Sequence, residues 1–227
     1  MRRRDVLLKA GALAGGALAA GLLPRSARAA CEIFPPDGVR DFQVLRQDKV
    51  VGHHRISFSR AAPGHAKRFV VRSDVKIEVP LSGARSYRFT HHAEEVWRDG
   101  WLDSLVSDSD DNGRRYRVRS ERRDGIFEGT VNGAAFTVSG YIVPSSLWNH
   151  DTVSAEALLD TVDGKVKIVR PSALGAEEVP VGGEPVLAQH YALYGQFARE
   201  LWYDMDCRLV RAAQPMSDGA PLILELA

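Results

Sequence analysis

Past residue 29 this 227-residue chain has no apolar run long enough to cross a bilayer as a helix, which takes about 20 residues. It has no long basic run either. Arg115, Arg117 and Arg119 alternate with Tyr116 and Val118, as on the wet face of a strand, so the electrostatic footprint of a nucleic-acid binder is missing. Gly182-Gly183 stands in a proline-flanked turn and not ahead of a helix, so no phosphate-cradling loop is present. Ser145-Ser146 precedes Leu147-Trp148-Asn149-His150, yet the Gly-x-Ser-x-Gly elbow that would expose a nucleophilic serine is absent. No internal repeat or low-complexity segment follows the first 29 residues.

What is present begins with an address. Arg3 and Arg4, followed by Asp5, Val6, Leu7, Leu8 and Lys9, form the twin-arginine pattern that the bacterial Tat exporter reads. The small-residue apolar stretch Ala10 to Leu23 is too short to span, and Ala27-Arg28-Ala29 offers a cleavage site. Residues 1–29 are therefore expected to be a Tat signal peptide and residues 30–227 a single mature β-rich domain. The expected location is the periplasm, with the Tat translocase as partner during export. The leader holds six basic residues and one acid, so residues 30–227 carry 24 basic and 28 acidic side chains, a net of −4. The two cysteines, Cys31 and Cys207, are free to pair in an oxidising compartment. Lipidation of Cys31 is opposed by Arg28, which sits where a lipobox wants an aliphatic residue; two free thiols are the third alternative.

Alternation with period two dominates after Pro35-Pro36. Phe69, Val71, Ser73, Val75, Ile77 and Val79 fall on one face of a strand, and Arg72, Asp74, Lys76 and Glu78 on the other. Tyr87, Phe89, His91, Ala93, Glu95 and Trp97 repeat the pattern. Further strands are expected at Trp101–Ser107, Arg115–Arg122, Ile126–Val131, Phe136–Gly140, Lys165–Arg170, Val186–Tyr194, Glu200–Asp204 and Leu209–Gln214. Asp-Asn-Gly at 111–113, Arg-Asp-Gly at 123–125 and Asn-Gly at 132–133 read as turns between them. Ser154–Asp160, with Ser154 as N-cap and Ala and Leu behind it, reads as one short helix. The fold class is mostly β: a strongly curved antiparallel sheet, half-barrel to barrel, with one short helical crossover.

Such a sheet must cover its inner face with a helix, a ligand or a partner. Phe89, His91, Trp97, Trp148, Tyr191 and Trp202 are the candidates to line an aromatic concavity for a lipid-like ligand or an envelope protein. His54, His91 and Glu95 form the weaker alternative, a metal or acid–base site drawn from neighbouring strands. Adjacent histidines on a strand point to opposite faces, so neither His53-His54 nor His91-His92 chelates alone. Asp108-x-Asp110-x-Asn112-Gly113 matches half of a calcium loop, but Arg119 stands where the bidentate Glu belongs, which leaves an acidic hairpin turn. No cofactor and no catalytic residue is predicted.

Several phrases together resemble a family. They are Val51-Gly52-His53-His54-Arg55-Ile56, Val75-Lys76-Ile77, Tyr87-Arg88-Phe89-Thr90-His91, Glu95-x-Trp97-x-x-Gly100-Trp101-Leu102, Pro144-Ser-Ser-Leu-Trp-Asn149 and Leu201-Trp-Tyr-Asp204. The set resembles the bacterial, often exported family DUF6134, over about residues 40–215. The pattern is also similar to other periplasmic β domains that end in a Trp-x-Asp-x-x-Gly hairpin, and more distantly to the half-barrel sheets of lipoprotein carriers. Here Cys207 replaces the turn glycine, which puts the positive-φ turn in question. The resemblance implies a curved β-sheet and no activity. An envelope structural subunit is the remaining functional alternative.

Overall fold

The computed structural model describes residues 31, 38–60, 68–80, 86–216 and 218–227. The leader with Arg3 and Arg4, the Pro35-Pro36 break and most of the Pro80–Ala84 link lie outside the described residues. Among the described residues no helix is long and apolar enough to cross a membrane.

The first meander is β1 (Gly38–Arg46), β2 (Lys49–Arg60), β3 (Arg68–Pro80), β4 (Ser86–Arg98) and β5 (Trp101–Asp111). It continues through β6 (Arg114–Arg123), β7 (Ile126–Val131) and β8 (Ala134–Ser139). Each strand pairs antiparallel with the next. Four successive hairpins turn on Asp99-Gly100, Asn112-Gly113, Asp124-Gly125 and Asn132-Gly133, where both residues take positive φ. Those conformations match the twist of the strands they join, which is why Asn or Asp followed by Gly recurs there.

A connector follows, with β9 (Val143–Pro144), a 3₁₀ turn (His150–Val153) and β10 (Ala157–Leu159). The second meander is β11 (Val166–Val181), β12 (Glu184–Gly195), β13 (Arg199–Asp204), β14 (Leu209–Gln214) and β15 (Leu222–Leu226). β15 pairs antiparallel with β1, Phe42 opposite Leu226 and Leu45 opposite Ile223, and this pairing joins the meanders. The result is one sheet of 15 strands in the order 8-7-6-5-4-3-2-1-15-14-13-12-11-10-9. β8 and β9 are its edges, so hydrogen bonds do not close it. The curl brings the edges together through side chains: the space a Cβ on Gly164 would occupy is filled by Val131, with Phe136 and Val118 beside it.

The expected helix at Ser154–Asp160 is corrected. A 3₁₀ turn precedes it, Ser154 ends that turn, and Ala157–Leu159 is a strand opposite Val166–Ile168 of β11. Alanine and leucine propensity loses here because the segment lies among strands whose backbone groups demand partners. The covering element is the connector itself. Ile142 to Asn149 are eight consecutive buried residues, threaded over the inner face among Phe58, Phe69, Trp97 and Leu105. Irregular backbone can be buried only if its polar groups are met. Ser145 N–H donates to Leu159 O (2.9 Å), Tyr203 Oη–H donates to Leu147 O (2.7 Å), and Asn149 Oδ1 accepts from Asp151 N–H (2.9 Å).

Cys31 and Cys207 are bonded, with Cα atoms 5.5 Å apart, tying the start of the domain to the β13–β14 turn. Cys207 keeps the positive φ (62°) of the glycine whose place it takes. Asp204 fixes the turn: its carbonyl accepts from Cys207 N–H, and its Oδ1 accepts from Asp206 and Arg208 N–H. Left-handed backbone costs a non-glycine residue about 1 kcal/mol. Cys207→Gly and Cys207→Ser should both lose the cross-link and be less stable than the parent, with Cys207→Gly the more stable of the two by about 1 kcal/mol in urea unfolding. The reverse order would mean that the turn does not require its backbone conformation.

Candidate functional site

Two polar centres lie on the inner face of β4, built by the same alternation that buries its apolar residues. The first is Glu95, which is 1% exposed. Its Oε2 accepts both from Trp97 Nε1–H on its own strand (2.9 Å) and from Trp148 Nε1–H on the connector (3.0 Å). Trp97 shares the parity of Glu95 and so faces inward beside it, while the ladder to β5 shifts register there, Val96 opposite Ser104 and Trp97 opposite Leu102. The rings of Trp97 and Trp148 meet edge to face at 5.2 Å, and Phe58 and Phe69 pack on Trp148. Burial pushes the Glu95 carboxyl up, with Ser146, Trp148 and Trp97 pulling back by hydrogen bonding. Ser146 Oγ lies beside the carboxyl without reaching ordinary hydrogen-bond geometry, and Glu95 Oε1 has no partner.

The second centre is one cross-strand row. Phe42, His54, Val75, His91, Ser109 and Tyr116 stand opposite one another in register from β1 to β6. His54 Nε2 lies 2.6 Å from Ser73 Oγ, and His91 Nδ1 lies 2.8 Å from Ser109 Oγ. His91 Nε2 reaches Thr161 Oγ1 on the connector at 3.3 Å. Thr161 is held in turn: its carbonyl accepts from Ser107 Oγ–H (2.5 Å) and its N–H donates to Ser145 Oγ (3.0 Å). Burial pushes the His54 pKa down to about 3, with the charge of His91 adding to the effect. Burial likewise lowers His91 to about 4, helped by His92.

His54, Val75, His91 and Tyr116 of this row line a cavity of about 350 Å³. Val44, Val75, Ile77, Phe89, Leu222 and Leu224 supply an apolar side, and Ser145, Ser146, Thr161 and the two histidines a polar one. Tyr87, Asp111, Tyr116, Asp160, Asp163 and Arg199 also line it. Tyr87 Oη–H donates to Asp111 Oδ1 (2.7 Å), and Lys167 Nζ lies 2.9 Å from Asp163 and 3.6 Å from Asp160. The volume is at the lower end of what small-ligand sites show, roughly 300–1,000 Å³.

The sequence-derived residues distribute as follows. Phe89, His91 and His54 line the cavity; Trp97, Trp148 and Glu95 form the neighbouring buried cluster. Tyr191 packs edge to face on His150 and Tyr203. Trp202 lies in a separate cluster with Val179, Ala188 and Val210, stacked on His190, its Nε1–H donating to Glu177. His54, His91 and Glu95 share no hydrogen-bond partner. Among the described residues, the ligand atoms that converge within 4.8 Å are those of Cys31, Cys207 and His150, and the two sulfurs there are bonded to each other. Asp108 is taken by Arg117 and Arg119, while Asp110 Oδ1 caps Gly113 N–H, as an acidic turn would have it. Sequence reasoning missed Thr161, Ser109 and Arg199. Arg199 had a readable signal, since it shares parity with the buried Leu201 and Tyr203.

A family model described as domain of unknown function DUF6134 matches residues 42–226. No curated protein matches the chain. Among solved structures, a β-barrel-like protein of domain of unknown function DUF1849 from Brucella abortus superposes with a TM-score of 0.60 at 9% identity. The match covers 83% of this chain and 94% of that one. At that identity the likeness concerns the fold alone.

Two outcomes follow from the buried groups. Glu95→Ala strands two buried indole N–H donors and should destabilise the protein by about 2–4 kcal/mol in denaturant unfolding. Glu95→Gln keeps an acceptor and should cost less; equal stability of Glu95→Ala and the parent would show that the carboxyl holds nothing. The histidines set the pH response. Both stay neutral in the fold, whereas the unfolded chain takes up their protons near pH 6.5. Below that pH the unfolded state binds more protons, so stability falls as acid is added, through the window from about 6.5 toward 4 and then 3. Unfolding at pH 5 should read a loss of about 2 kcal/mol per histidine relative to pH 7. Stability that held level or rose would contradict neutral burial.

Proposed function

The chain belongs to the DUF6134 family, and from that premise, which carries no activity, we propose that it is a non-enzymatic periplasmic binding protein for a small lipid-like ligand. The observation that carries the reading is the cavity, with an apolar wall of aliphatic side chains and Phe89 facing a short polar strip. Sites for small amphiphiles have this composition, mostly apolar with a few placed polar groups. The twin-arginine leader supports export of the already folded domain to the periplasm. Several features of the polar strip favour binding over catalysis. Ser73 and Ser109 sit beside histidines, yet both pairs are fixed in buried cross-strand contacts. The Ser145 oxygen accepts from the backbone N–H of Thr161.

The test is titration of the mature protein with a fluorescent apolar probe whose emission rises on desolvation, read beside a Val75→Trp variant that fills the cavity floor. One site per chain should appear, and Val75→Trp should weaken it at least tenfold with circular dichroism unchanged. Probe binding that ignores Val75→Trp would place any apolar site elsewhere; no binding at all would overturn the reading.

A further inference from the structure

Arg199 opens β13 on the parity of Leu201 and Tyr203, the inner face, and its side chain lines the cavity. Its Nη1–H donates to the carbonyl of Ala198 (2.7 Å), and its guanidinium lies over the Phe197 ring at 4.2 Å. Neither partner is an anion. Among the described residues no carboxylate comes within ion-pair distance of it. The acids that share the cavity are already engaged. Asp160 and Asp163 hold Lys167, Asp160 Oδ1 also accepts from Val162 N–H, and Asp111 accepts from Tyr87. Burial lowers the Arg199 pKa to about 10, against the pull of Asp160. An arginine does not lose its proton at working pH, so the guanidinium is a largely buried charge in the cavity lining with no ion-pair partner of its own. A charge in such a place is costly unless paired and hydrogen-bonded.

We propose that Arg199 anchors the carboxylate of an acyl-chain ligand, whose chain lies along Val75, Ile77, Phe89 and Leu224. The inference rests on the binding function proposed above and names its ligand class: a single-chain amphiphile with a carboxylate head. Carboxylate geometry suits the guanidinium fork, which offers parallel N–H donors. The Thr161 hydroxyl and the His54 and His91 rings belong to the same cavity lining and supply polar surface without adding charge. Because both histidines are neutral at pH 7, Arg199 is the cation of the lining and the group that selects an anionic head. A neutral alcohol of the same chain length would gain the apolar contacts and forgo the ion pair.

The experiment compares dodecanoate with dodecanol by calorimetric titration of the full mature domain at pH 7.5. The parent should bind dodecanoate at least tenfold more tightly than dodecanol. Arg199→Gln should bind both with the affinity the parent shows for dodecanol, and Arg199→Lys should recover part of the preference. Thermal unfolding of each variant runs alongside, and Arg199→Gln should be no less stable than the parent because it removes a buried unpaired charge. Equal affinities in the parent would overturn the carboxylate assignment while leaving the cavity reading in place. A preference that survives in Arg199→Gln would move the anchor to another residue and also overturn it. Failure of the parent to bind either compound would overturn the binding function itself.

Discussion

The interaction on which the rest depends is the pair of indole N–H groups that meet on one oxygen of Glu95. A single curved sheet leaves its concave face bare, and among the described residues no α-helix covers it. The chain covers that face with its own connector, Ile142 to Asn149, which a ladder holds at Val143-Pro144 and which past that point has to be fixed by side chains. Trp148 is the fixing residue: it inserts among Phe58, Phe69 and Trp97 and hands its one polar atom to a carboxylate on β4. Burying that carboxylate is unfavourable by itself. Two donors on Oε2 and the neighbouring Ser146 offset part of the cost, and the group then specifies where the connector lies.

Once the connector is fixed there, the chemistry next to it follows. Thr161 comes down on His91, and Ser107, Ser109 and Ser145 complete a buried hydroxyl network around it. Small polar side chains at 73, 107 and 109 occupy inner-face positions where larger apolar ones would fill the interior. Beside the connector, whose Ser145, Ser146 and Leu147 line it, the inner face is left with the chamber that His54, Phe89 and Arg199 share. Neutral histidines form a polar strip there, Asp160 and Asp163 are held by Lys167, and Arg199 is the cation without an ion-pair partner.

Much of this architecture was legible in the sequence, because it rests on local signals. Period-two alternation in β3 and β4 put Phe69, Val71, Ser73, His91, Glu95 and Trp97 on the buried face, where they are. The Asn-Gly and Asp-Gly pairs marked the hairpins. The errors came where long-range pairing overrides local preference. Ala157 to Leu159 carried helix propensity and became a strand because β11 stands opposite. Leu222 to Leu226 had no alternation to announce it and is a strand because β1 and β14 flank it. The site was legible only in part. Phe89, His91 and His54 face one chamber, but Trp97, Trp148 and Tyr191 pack in the main core and Trp202 in a separate cluster. An aromatic residue on a strand does not reveal whether it meets a ligand or another side chain. The meeting of Thr161 with His91 spans 70 residues and leaves no local trace.

The measurement that tests the account most directly is native mass spectrometry of protein purified without detergent from its own host, compared with the denatured mass of the same sample. The account predicts one added mass of single-chain amphiphile size, lost on denaturation and absent from a Val75→Trp preparation. A native mass equal to the bare mature chain, or an added mass that Val75→Trp retains, would contradict a ligand seated in this chamber.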